Sequence, residues 1–102
     1  MPIRERALQR TDVPSERELR DELEAEFANP KESGEPEIII ERPAPGTTHL
    51  YVIWSRWAGV EQLVRSRIIL DAYEATQETE EVLKVTVSMG LTPDESDRLG
   101  VT

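Results

Sequence analysis

The chain has 102 residues, no cysteine and a formal net charge of −9. That length suits one domain rather than two, and without cysteine there is no disulfide framework, thiolate metal site or cysteine nucleophile. No apolar run approaches the roughly 20 residues that span a bilayer, and Met1 to Arg6 lacks the apolar stretch of a secretory signal, so a small soluble cytoplasmic domain is expected.

Residues 1–14 read as a flexible, polar N-terminal arm ending at Pro14, and residues 15–102 as a single α+β domain. Ser15 and Glu18 form a capping box, and Leu19, Leu23 and Phe27 follow at helical spacing. Asn29-Pro30 ends that helix, because the ring of Pro30 disfavours helical geometry at Asn29. Glu37 to Arg42 is a β-branched run bounded by prolines and reads as a strand. Pro43-Ala44-Pro45-Gly46 is a turn, and Thr47 to Trp54 is a second strand, antiparallel to the first. Leu50, Val52 and Trp54 share one side of it, and His49, Tyr51 and Ile53 share the other.

Trp57-Ala58-Gly59 leads out of the hairpin. A long helix is expected from Val60 to about Gln77, with Leu63, Val64, Ile68, Ala72 and Ala75 on its apolar face, widened by Ile69, Leu70 and Tyr73. Glu61 with Arg65, and Arg67 with Asp71, have the spacing of four-residue ion pairs. After an acidic connection, Val82 to Met89 reads as the third strand. Leu83, Val85, Val87 and Met89 are expected to face the helices, with Lys84, Thr86 and Ser88 opposite. Thr92-Pro93-Asp94-Glu95 opens a last helix with a second capping box, and Gly100 closes it. The expectation is a two-layer α+β fold of order α-β-β-α-β-α, a three-stranded sheet with helices on one face. The long helix must cross the sheet if the third strand joins the hairpin.

Chemistry-bearing patterns are few. His49 is the only histidine and has no partner at a metal-ligand spacing. The carboxylates concentrate in residues 1–37 (net −5) and 78–102 (net −4), around a neutral middle of 38–77. Nothing marks a pair with shifted pKa values, a phosphate loop or a nucleophile elbow. Trp54 and Trp57 read either as core anchors or as interface anchors beside Arg56, since Trp and Arg are enriched at binding hot spots.

From Trp54 to Glu95 the chain resembles the BolA family, small proteins of class II KH-like fold. The resemblance rests on Trp57-Ala58-Gly59 as the aromatic-x-Gly turn, Arg65-Ser66-Arg67 as the family's Arg-His-Arg helix motif, the strand Val82–Met89, and Thr92-Pro93-Asp94-Glu95 as the Thr-Pro-Glu-Glu helix start. In topology it extends over about residues 15–99. It implies the fold, and association with iron–sulfur partners through a histidine that falls here at Lys84. The histidine of the helix motif falls at Ser66. An ammonium group is a poor cluster ligand, so the architecture is retained and no cofactor or metal is expected.

The function expected is a non-enzymatic binding or adaptor domain working through protein–protein contacts. The alternative is a KH-like nucleic-acid-binding regulator, which the net charge and the missing Gly-x-x-Gly clamp disfavour. Candidate partner-binding residues are Tyr51, Ile53, Arg56, Trp57 and Arg65. Tyr51 and Ile53 are expected on an open sheet face among polar residues of the third strand, giving a monomer or a weak homodimer that tightens as salt rises.

Overall fold

The computed structural model describes residues 14–100. The N-terminal arm therefore lies outside the described residues, apart from Pro14. Helix α1 spans Glu16–Ala28, strand β1 Glu37–Ala44, strand β2 Thr47–Ile53 and a 3-10 turn Ser55–Trp57. Helix α2 spans Gln62–Thr76, the single turn α3 Thr79–Val82, strand β3 Val85–Leu91 and helix α4 Pro93–Leu99.

Both capping boxes form. The Ser15 hydroxyl accepts the Glu18 N–H (3.1 Å), and Glu18 accepts the Ser15 N–H (3.1 Å). Thr92 and Glu95 repeat the exchange at α4, with Pro93 in the first turn and Gly100 closing the helix at φ 69°. Helix α1 stops at Ala28 as the sequence requires, and the Glu26 carboxylate accepts the Lys31 N–H (2.8 Å) just beyond its end.

Strand β2 is central. It pairs antiparallel with β1 through a hairpin turned at Pro45-Gly46, where Gly46 sits at φ 80°. It pairs parallel with β3, and the connection through α2 permits that direction. Strand β1 continues to Ala44, carrying Pro43; an outer strand tolerates a residue without an N–H. Leu19 and Leu23 of α1 and Ile68, Ile69, Ala72 and Tyr73 of α2 form one core with Leu50 and Val52 of β2. Each fully buried Leu, Ile or Val among them contributes about 1.5–3 kcal/mol.

Four expectations change. Helix α2 begins at Gln62, because Gly59 reverses the chain at φ 83° and residues 58–60 belong to the turn. Its Leu63 is 82% exposed, and Ala75 is also exposed. The segment before β3 is not extended: the Leu83 N–H donates to the Thr79 carbonyl (3.0 Å), closing the turn of α3 and leaving Leu83 78% exposed. The four-residue ion pairs give way to longer-range ones. Arg65 bonds Glu95 (2.7 Å) and Arg67 bonds Glu16 (2.9 Å), so both join separate elements rather than brace α2.

The fourth change has the largest consequence. Thr48 pairs with Val85, but His49 pairs with Val87, so Thr86 is an extra residue in β3. A one-residue slip turns every following side chain to the other face. Val85 packs on the helix-side core, as expected. Beyond the bulge it is Ser88 and Gly90 that face α2. The Ser88 hydroxyl donates to the Ser66 carbonyl (3.0 Å), and a Cβ on Gly90 would lie 2.8 Å from the Trp57 indole. Val87, Met89 and Leu91 consequently share the face of His49, Tyr51 and Ile53. The polar side expected of the third strand is in fact apolar.

Candidate functional site

The site is built on the sheet face turned away from Leu50 and Val52. Pair register places Glu37, Ile39 and Glu41 of β1 there, beside Ile53, Tyr51 and His49 of β2, and Leu91, Met89 and Val87 of β3. Ile39, Tyr51 and Met89 thus form a row across the three strands, flanked by Ile53 with Leu91 on one side and Val87 on the other. Ile39, Tyr51, Val87 and Met89 are half-buried, whereas Ile53 and Leu91 are 5% and 2% exposed. The polar rim lies on the β1 side. Glu41 and His49 approach to 3.7 Å, and the His49 ring meets Tyr51 edge to face at 6.3 Å.

The other candidate residues sit elsewhere. Trp57 is fully buried; its indole N–H donates to the Val52 carbonyl (3.0 Å), and it meets Trp54 edge to face at 5.2 Å. It belongs to the core rather than to a surface. Arg65 is also buried. Its Nε donates to the Val60 carbonyl (2.8 Å), and its Nη1 donates to the Gly90 carbonyl (3.1 Å) and to Glu95 (2.7 Å). It therefore ties the start of α2, the end of β3 and α4 together. Arg56 lies at the surface, its guanidinium 5.6 Å from the centre of the Trp54 ring and ion-paired with Glu22 of α1. Tyr51 is half-buried on the expected face; Ile53 shares that side of β2 but is buried rather than open, and Arg56, Trp57 and Arg65 lie elsewhere. The sequence reading missed Ile39, Val87, Met89 and Leu91 on this face. The signal for three of them is Gly90 inside a strand, a mark of close backbone approach.

The electrostatics are structural. Thr92's N–H, and then the Arg65 guanidinium, hold the Glu95 carboxyl below the usual carboxylate range. The N–H and hydroxyl of Ser55 do the same for Glu35 (2.9 and 2.7 Å), fastening the connection before β1 to the 3-10 turn. Lys84 bonds Glu81 (3.2 Å). Among the described residues no group of three or more His, Asp and Glu is arranged to hold a metal ion. No described helix is long and apolar enough to cross a membrane. No protein-family model, curated protein or solved structure matches the chain.

Proposed function

We propose that this chain is a non-enzymatic binding domain that holds a protein partner against the Ile39–Tyr51–Met89 face of its sheet. The observation that carries the proposal is the slip at Thr86, which places Val87, Met89 and Leu91 beside Tyr51 and Ile53. An apolar face bounded by Glu37 and Glu41 suits a protein surface and repels a phosphate backbone. The BolA likeness enters at the level of architecture, because Lys84 stands where that family places a ligand.

The test is affinity capture from the native cell with three baits: wild type, Tyr51→Asp and Glu74→Gln, the last an exposed change on α2. Each is first shown to melt cooperatively. A partner held by wild type and Glu74→Gln and lost by Tyr51→Asp supports the proposal. Partners that ignore Tyr51→Asp refute it.

A further inference from the structure

Among the described residues the strand order leaves two outer edges, on β1 and β3. The β3 edge is closed at Gly90. Its N–H donates to Gln62 Oε1 (3.3 Å) and its carbonyl accepts from Arg65 Nη1 (3.1 Å), so α2 side chains occupy the groups a further strand would need. The β1 edge has a different surround. On its helix side runs a groove of about 250 Å³ lined by Phe27, Ile38, Ile40, Arg42, Tyr73 and Gln77. Phe27 and Tyr73 meet edge to face at 5.4 Å, and Ile40 is 40% exposed beside them. On its other side the same strand presents Glu37, Ile39 and Glu41 at alternate positions, with both carboxylates exposed.

From these features we infer that the β1 edge accepts an extended segment of a partner protein as a fourth strand. Main-chain hydrogen bonds supply affinity in this mode, and alternate side chains supply selectivity. Across from Glu37, Ile39 and Glu41 the segment carries a basic, an apolar and a basic residue. Across from Ile38 and Ile40 it carries apolar residues that enter the groove. The partner motif is thus basic–apolar–apolar–apolar–basic, a pattern that reads the same in either strand direction.

A second copy of this chain is disfavoured in the registers centred on Ile39 and Ile40. Two β1 strands related by a two-fold axis pair antiparallel about one residue. Centred on Ile39, Glu37 faces Glu41 twice; centred on Ile40, Glu41 faces Ile39 and Pro43 faces Glu37. Like charges directly opposed are unfavourable, and proline donates no hydrogen bond. The charges that oppose self-pairing about Ile39 select a partner of opposite sign.

This inference rests on reading the chain as a protein-binding domain, and the experiment separates the two. Fluorescence anisotropy of the full chain is measured with a labelled peptide whose core is Lys-Val-Ile-Val-Lys. Three further peptides are compared: one with Glu for Lys, and two with alternate backbone amides N-methylated, one for each register of alternation, so that one of them lacks the N–H groups that would pair with β1. The unmodified Lys peptide is expected to bind at least tenfold tighter than the Glu peptide and than one of the two N-methylated peptides. The Glu37→Lys/Glu41→Lys double variant is expected to prefer the Glu peptide. Binding that survives N-methylation in both registers of alternation, or no binding at all, overturns the inference. In the capture experiment, partners lost by Tyr51→Asp but kept by Glu37→Lys/Glu41→Lys would retain the binding domain and remove the edge.

Discussion

Replacing Gly90 with alanine tests the packing on which the β3 register depends. The added Cβ would lie 2.8 Å from both Cε2 and Nε1 of Trp57 and 3.0 Å from Cβ of Arg65. Neither neighbour is free to withdraw. Trp57 is fully buried and bonded to the Val52 carbonyl, and Arg65 is held at three acceptors. Overfilling a packed site of this kind costs about 1–3 kcal/mol. If the indole shifts far enough to lose its bond, a further cost of about 1 kcal/mol follows. The sum is about 2–4 kcal/mol, which for a domain of this size lowers the melting temperature by roughly 8–32 °C. Urea unfolding followed by tryptophan fluorescence and far-UV circular dichroism measures it, with the slope m unchanged. In a Trp57→Phe background the same substitution should cost at least about 1 kcal/mol less, since the colliding indole is gone. A cost below about 0.5 kcal/mol in the wild-type background would show that Gly90 does not face the indole.

Arg65→Met should cost about 3–5 kcal/mol by equilibrium unfolding, because it strands the buried Gly90 carbonyl and leaves the Glu95 carboxylate without its cation. Thr92→Ala should cost about 1 kcal/mol, through loss of the N-cap of α4. The folded-state pKa values of Glu95 and Glu35 lie below the ordinary value of 4.5. Their stabilisation is therefore complete above that pH and is lost as pH falls through the depressed values. Melting temperature should fall below pH 4.5, and Glu95→Gln and Glu35→Gln should each flatten that fall while lowering the plateau above it.

Much of the fold is legible because its signals are local. Ser15 with Glu18, and Thr92-Pro93 with Glu95, determine where two helices start through bonds spanning three residues. Pro45-Gly46 determines the hairpin, and the spacing of Leu19 and Leu23 determines the buried side of α1. What the sequence hides depends on contacts distant in the chain. Arg65 has Glu61 at helical spacing, but Glu95 lies nearer once α4 folds against the end of the sheet. Residues 83–89 alternate without a break, so periodicity alone extends one face through the whole run. The turn of α3 removes Leu83 from the strand, and the bulge at Thr86 reverses Val87 and Met89. The small residues Ser88 and Gly90 then allow α2 and Trp57 to approach β3. For the candidate site, Tyr51 and Ile53 were readable from β2, whereas their neighbours on β3 required the register.

The most direct test is a series of single aspartates along β3, each followed by thermal unfolding. Val85→Asp and Ser88→Asp place a charge on the helix side, the second facing the Ser66 carbonyl, and should unfold or nearly unfold the protein. Val87→Asp lies on the opposite face and should leave a cooperative fold while weakening partner binding. Uninterrupted alternation requires the reverse at the last two positions. A folded Ser88→Asp beside an unfolded Val87→Asp would contradict the bulge, and with it the apolar face proposed as the binding surface.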